Sequence, residues 1–149
     1  MKIITYTTFI LLILLNSCAF VQFIERGSDN HELVDLNTFK IEKTAASAAY
    51  AYSTQVPVKV GGAETNEGIL NERRFLNALR GPNGEKVTYE LVGSCCYYEI
   101  ENPTHSNIGL LDRYKVTVGD KEYILYFAPH ENAKELLAPR GFSFVKMEV

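Results

Sequence analysis

The chain has 149 residues, of which 46% are hydrophobic and 22% charged, a composition typical of a globular protein with room for its own core. Its formal net charge is −3, and its only dense basic group is Arg73-Arg74 with Arg80. Because phosphate binding relies on clustered Lys and Arg, this balance argues against a nucleic-acid partner.

The first element is an export segment. Lys2 precedes a largely apolar run from Ile3 to Leu15, and a positive tip before such a run is typical of a secretory signal. The run ends in Leu15-Asn16-Ser17-Cys18, which resembles the bacterial lipobox and implies cleavage before Cys18 and acylation of its thiol. We therefore expect residues 1–17 to be a signal peptide and a lipid on Cys18 to bind the membrane.

Two alternatives stay open for this segment. The residues from Ile3 to Ile24 are apolar enough to remain as an uncleaved anchor with Lys2 inside, and ordinary signal cleavage is the third case. All three place the rest of the chain outside the cytoplasm.

Residues 18–44 are expected to form the lipid anchor and a tether, because Arg26 to Asn30 is polar and rich in turn residues. Residues 45–149 are expected to form one domain. Within it, Val56 to Val60 alternates like a strand, and Pro57 confines that strand to an edge.

The spacing of apolar residues predicts a helix over Ile69 to Arg80. Gly81-Pro82 supplies the expected stop. In this helix Glu72 lies on the apolar side, together with the residues Ile69, Phe75, Leu76 and Leu79, and the side chains expected to point away are Arg73, Arg74 and Asn77.

Alternating and apolar runs predict strands, and Gly119-Asp120 predicts a two-residue hairpin turn between two of them. The run Lys121–Ala128 is apolar enough for a central strand that is covered on both faces. The predicted strands are Lys86–Val92, Leu110–Val118, Lys121–Ala128 and Gly141–Val145, with a short second helix over Glu131–Ala138. This order predicts an α+β fold with an antiparallel sheet, one main helix and a short second helix.

Cys95 and Cys96 are the cysteines that remain if Cys18 carries lipid. Three interpretations stay open: a vicinal disulfide, buried thiols that act as small apolar groups, or functional thiols for redox chemistry or a soft metal. In the metal case His105 or His130 would complete the ligands. No cofactor is predicted.

A hydrolase that uses Ser94 or Cys95 is the least favoured hypothesis. Gly93-Ser94-Cys95-Cys96 lacks the trailing glycine of a nucleophile elbow, although Cys95 with His130 has the residue types of a nucleophile and its base. The many tyrosines fit either a core or a binding face for sugar or peptide.

The chain also resembles a family of small lipoproteins from Bacteroidota, over about Tyr50 to Phe142. The motifs that carry the resemblance are Asn71–Leu79, Gly81–Gly84, Gly93–Cys96 and Gly109–Asp112. It implies that Gly93–Cys96 is a purposeful feature of the fold, and it carries over no catalytic residues. Some members bear the name 2-dehydro-3-deoxyphosphooctonate aldolase, but a (β/α)₈ barrel needs about 250 residues, more than this chain can supply.

The resemblance implies a host with two membranes, and no acidic run follows Cys18. We therefore expect an outer-membrane lipoprotein that faces the periplasm. Its domain is expected to bind an envelope protein or glycan, or to serve a structural role, without catalysis. A thiol-based metal or redox protein is the alternative.

Overall fold

The computed structural model describes residues 31–101, 103 and 106–146. The predicted signal peptide, Cys18 and His105 therefore lie outside the described residues. No helix in the described part is long and apolar enough to cross a membrane. Its elements, in chain order, are β1 (Leu33–Asp35), β2 (Thr38–Phe39), a 3₁₀ turn (Ala63–Thr65), α1 (Gly68–Ala78), β3 (Leu79–Arg80), β4 (Thr88–Glu99), β5 (Ile108–Val118), β6 (Lys121–Phe127) and β7 (Ser143–Phe144).

The main sheet has three antiparallel strands in the order β4-β5-β6, and two small antiparallel pairs, β1-β2 and β3-β7, complete the fold. Gly119 has a φ of 57° at the turn between β5 and β6, as the predicted hairpin requires. Antiparallel sheets with one main helix confirm the α+β class.

The helix begins and ends close to its predicted bounds, but two of its side chains were assigned wrongly. Ile69 is 51% exposed, whereas Arg74 is only 6% exposed. The Arg74 guanidinium is buried because Nε donates to the Leu36 carbonyl at 3.0 Å and Nη1 donates to Asn71 Oδ1 at 2.9 Å. The helix therefore uses this arginine to hold the β1–β2 turn.

The prediction of a fully covered central strand over Lys121–Ala128 is wrong. β6 is the third strand of the main sheet, and only Leu125 and Phe127 in it are buried. Its outer edge is partly covered at one end, where Val58 N donates to the Tyr126 carbonyl at 2.9 Å. The central strand is β5, which pairs with a neighbour on each side.

The predicted short helix over Glu131–Ala138 is also wrong. This segment is irregular, and its backbone bonds to distant parts of the chain: Ala133 N donates to the Lys59 carbonyl and Ala138 N to the Lys43 carbonyl, both at 2.9 Å. These long-range bonds replace the local ones that a helix needs. The second helical piece is instead the 3₁₀ turn.

The core lies between α1 and one face of the main sheet. Phe39 and Ile41, which were assigned to the tether, are 0% and 3% exposed in this core. The folded domain therefore includes residues before position 45. The largest fully buried side chains of this core are Tyr114, Phe39, Phe75, Phe127, Leu76, Leu79 and Leu125.

Candidate functional site

The stretch Gly93–Cys96 lies inside β4, whereas the sequence predicted that the strand ends at Val92. The strand continues because it is bulged twice against β5. Leu91 pairs with Tyr114 and Gly93 with Arg113, so Val92 is an extra residue, and Cys96 is extra in the same way. A bulge inserts a residue without ending the pairing, and it changes the direction of the side chains that follow.

The second bulge holds a disulfide between Cys95 and Cys96. Adjacent side chains of a regular strand point to opposite faces, so their sulfur atoms cannot meet. The bulge removes that alternation, and Cys96 adopts a left-handed φ of 53°. Cys95 is half-buried and Cys96 is exposed, so the interpretation of two buried thiols does not fit.

His130 makes its contacts away from the two cysteines. The backbone N of His130 donates to Tyr98 Oη at 3.3 Å, and its Nδ1 lies 3.9 Å from Glu64 Oε1. Within the described residues, no group of three or more His, Cys, Asp or Glu side chains is placed to hold a metal ion. The described residues therefore bring only Cys95 and Cys96 together out of the proposed metal ligands.

His130 instead borders a polar pocket of about 250 Å³. Lys59 lies in this pocket, with Nζ 2.9 Å from Glu131 Oε2 and 3.3 Å from Glu101 Oε1. Glu131 also accepts a bond from the Glu101 backbone N at 3.0 Å. The charges of this pocket are therefore engaged with one another, and they tie residue 101, just past the end of β4, to residue 131.

Ser94 and Asp112, which have two of the residue types of a hydrolase triad, form a second cluster together with Glu72. The Ser94 hydroxyl donates to Asp112 Oδ1 at 2.5 Å across the β4–β5 pair. Glu72 of α1 is fully buried beside them, and its Oε2 accepts a bond from the Tyr114 hydroxyl at 2.9 Å. The one signal in the sequence was the position of Glu72 on the apolar side of the helix.

Glu72 keeps its proton at neutral pH. Burial, followed by the nearby Asp112 carboxylate, raises the pKa of Glu72 to about 8, and these effects outweigh the Tyr114 hydrogen bond and the Arg73 charge, which lower it. Glu72 Oε1 has no fixed partner among the described residues, and a protonated Glu72 lies within hydrogen-bonding reach of Asp112. Burial beside the Asp112 carboxylate therefore favours the neutral form of Glu72.

This arrangement does not assemble a hydrolase site of the predicted kind. The Ser94 hydroxyl is bonded to a carboxylate, whereas His130 contacts Glu64 and Tyr98. The sulfur of Cys95 is bonded to Cys96, so it lacks the thiolate that nucleophilic attack requires.

Exposed apolar side chains cluster on the main sheet. Of the ten exposed large hydrophobic residues in the described part, six lie on its strands: Leu91, Val92, Tyr97, Ile108, Leu110 and Ile124. Tyr97, which is 81% exposed, pairs directly with Leu110, and Ile108 lies two residues before Leu110 on β5. We call the surface formed by Tyr97, Ile108 and Leu110 the open face.

On the face of the sheet opposite the open face, the same end of β4 and β5 is covered by a side chain. Tyr98 lies over Gly109, where an added Cβ would come within 2.7 Å of the tyrosine ring. Gly109 is therefore needed to make room for this ring. Burial raises the pKa of Tyr98 to about 12, and its hydroxyl accepts the bond from His130 N.

Comparisons with models of protein families, with curated proteins and with solved structures find no match. The resemblance to small lipoproteins of Bacteroidota therefore stays a prediction.

Proposed function

We propose that this chain is a non-enzymatic binding protein of the cell envelope, held at the membrane by a lipid on Cys18, which contacts a partner protein through the open face. The anchor rests on the export segment that ends in Leu15-Asn16-Ser17-Cys18. The binding surface rests on the geometry of β4 and β5.

One observation carries the binding function: the far end of β4–β5 presents Tyr97, 81% exposed, against Leu110, 43% exposed, with Ile108 beside them at 50%. Nearer the middle of the sheet, the same face of β5 is covered at Tyr114 and Val116. Clustered apolar side chains on a surface mark interaction sites, and an exposed tyrosine is a frequent centre of binding energy.

The chemistry of the open face favours a protein over a glycan. An aromatic ring flanked by two aliphatic side chains matches the apolar side chains of another protein, whose burial supplies about 25 cal/mol per Å². The disulfide lies directly beside this surface, because Cys96 immediately precedes Tyr97. We therefore place the bulged end of β4 in the interface.

A photo-crosslinking amino acid at position 97, in the full-length protein in its native cells, tests the binding surface. We expect an adduct of defined mass with one partner, and we expect it to disappear when Leu110→Asp is added. The matched control carries the same probe at Lys121, an exposed position at the opposite end of the sheet. Equal adducts from both positions, or an adduct that survives Leu110→Asp, would contradict the proposal.

The anchor is tested separately with Cys18→Ser. We expect this variant to lose incorporation of labelled palmitate and to leave the membrane fraction. A variant that loses the label but remains in the membrane fraction would instead support the uncleaved anchor from Ile3 to Ile24.

A second candidate function is thiol–disulfide chemistry, favoured by the exposure of Cys96 in the disulfide. Rapid alkylation of free thiols in intact cells, followed by mass measurement, tests it. A pair found always oxidised would leave the structural role of the disulfide, whereas a mixture that follows the redox state of the envelope would support this candidate.

A further inference from the structure

We propose that the Cys95–Cys96 disulfide is a redox switch that sets the register of β4 and so decides whether Tyr97 or another side chain lies on the open face. The proposed structural change stands on the strand geometry alone. Only its consequence, control of partner binding, rests on the proposed function.

The disulfide and the bulge coincide. Cys96 is the extra residue between the pairs Cys95–Leu111 and Tyr97–Leu110, and it is also one half of the disulfide. Its φ of 53° is unfavourable for a residue with a side chain, so it persists only where the surroundings impose it. The disulfide imposes it, because adjacent cysteines cannot join in a regular strand.

Opening the disulfide removes the reason for the bulge. A regular strand beyond Cys95 would pair Cys96 with Leu110 and Tyr97 with Gly109, one residue away from the present register. A shift of one residue exchanges the faces of every side chain that follows. Tyr97 would therefore leave the open face.

The chain is suited to two registers because the residue that would move opposite Gly109, Tyr97, replaces another tyrosine there, while Cys96 would take the place opposite Leu110. Tyr98 now lies over Gly109, where the missing side chain makes room for its ring, and its hydroxyl accepts a bond from His130 N. In the shifted register Tyr97 would bring the same ring and hydroxyl to this place. The shift therefore preserves the contact with Gly109 and with His130.

The position of β4 in the sheet also permits the shift. β4 is an edge strand and pairs only with β5 within the main sheet, so its movement breaks no second ladder. The pairs before the switch, from Ser94–Asp112 back to Thr88–Thr117, keep their partners. The last third of the strand has to move, together with residue 101 just past its end, whose contacts with Glu131 and Lys59 would have to open.

The reaction is a thiol–disulfide exchange with a protein dithiol as reductant. A thiolate of the dithiol attacks one sulfur of the disulfide, forms a mixed disulfide and releases the other cysteine, which takes up a proton. The second thiol of the reductant then attacks its own bonded sulfur and releases the remaining cysteine. In sum, the Cys95–Cys96 bond gains two electrons and two protons, and the dithiol becomes a disulfide.

The test measures cross-strand proton contacts by NMR, on full-length protein in detergent micelles, before and after reduction with dithiothreitol. In the oxidised protein we expect contacts of Tyr97 with Leu110 and of Tyr98 with Gly109. After reduction we expect loss of both and new contacts of Tyr97 with Gly109. Retention of the Tyr97–Leu110 contact, or loss of β4–β5 contacts without the new pair, would overturn the proposal.

Two variants make the test independent of the reductant. Cys95→Ala with Cys96→Ala should show the shifted contacts without any reduction. Deletion of Cys96 removes the extra residue itself, so Tyr97 should stay opposite Leu110 whether or not dithiothreitol is present. A double-alanine variant in the oxidised register would contradict the switch.

The photo-crosslink from position 97 separates this inference from the proposed function. If the function and the switch are both right, reduction should abolish the adduct in the native chain and leave it in the variant that lacks Cys96. If neither protein forms an adduct while the NMR contacts shift as expected, the proposed function fails and the switch stands.

Discussion

The two ends of the β4–β5 pair differ although they belong to one ladder. At the end near the hairpin turn, Tyr89 pairs with Val116 in regular register, and Val116 is fully buried. At the far end, two bulges interrupt the ladder and Tyr97 is 81% exposed. One end is therefore packed into the core, and the other carries the proposed binding surface.

The boundary between the two ends lies at Glu72. This residue of α1 reaches β5 at Tyr114, beside Asp112 and Ser94, where the covered part of the face gives way to the open face. A buried acid close to a second carboxylate weakens the fold, which is the pattern expected next to a functional surface.

The largest expected effect comes from the buried core between α1 and the sheet. Phe127→Ala removes a fully buried ring that lies 5.5 Å from Phe75 and 5.3 Å from Tyr114, centre to centre. We expect a loss of about 3–5 kcal/mol in the free energy of unfolding, measured by urea denaturation. The matched change Tyr97→Ala should cost less than about 1 kcal/mol. Similar losses would mean that the open face contributes as much to stability as the core does.

Glu72→Gln sharpens the comparison at the boundary. Because the pKa of Glu72 rises from 4.5 in the unfolded chain to about 8 in the fold, the native protein loses stability as the pH rises from about 4.5 to about 8. Glutamine stays neutral and can still accept from Tyr114. We expect the free energy of unfolding of the variant to exceed that of the native protein by roughly 3 kcal/mol at pH 7. At pH 4 we expect no gain.

The control for this pH series is Glu90→Gln, which removes an exposed acid from β4. Its difference from the native protein should stay small at every pH. A gain from Glu72→Gln that is equal at pH 4 and pH 7 would show that Glu72 does not keep its proton in the fold.

Gly109→Ala tests the closed side of the far end. The added Cβ would lie 2.7 Å from the ring of Tyr98, so the ring or the strand must move. We expect a loss of about 1–3 kcal/mol in thermal or chemical unfolding. The same substitution in a Tyr98→Ala background should cost clearly less, and an unchanged cost would show that the tyrosine is not the obstacle.

The smallest expected change in stability comes from the open face. Leu110→Ser alters a side chain that is 43% exposed, so we expect less than about 1 kcal/mol in the free energy of unfolding. The adduct formed from position 97 should nevertheless fall sharply. If Leu110→Ser unfolds easily but still forms the adduct, Leu110 contributes to stability and not to binding, which is the opposite of the proposed assignment.

Elements with strong local signals were predicted correctly from the sequence. The helix and the hairpin at Gly119-Asp120 each depend on residues close together in the chain, and the structure confirms them. The predicted stop at Gly81-Pro82 does not end the helix, because the chain already turns into β3 at Leu79. Elements whose backbone hydrogen bonds go to distant parts of the chain were predicted poorly. The segment 131–138 is not a helix because its backbone bonds to Lys43 and Lys59.

The candidate site was predicted only in part. In the sequence, the adjacent Cys95 and Cys96 stand out, and the helical spacing places Glu72 on the apolar side of the helix. It did not show that these cysteines lie inside a paired strand, because a bulge exists only relative to the strand that it faces.

The sequence alone determined the α+β class and the adjacency of the two cysteines, since class follows from local periodicity and adjacency is a covalent fact. Tertiary structure decided that α1 covers one end of the β4–β5 face and leaves Tyr97 and Leu110 open at the other. It also decided that Glu72 meets Asp112, 40 positions away in the chain. Those outcomes depend on how a helix lies across a sheet, which no short window of residues specifies.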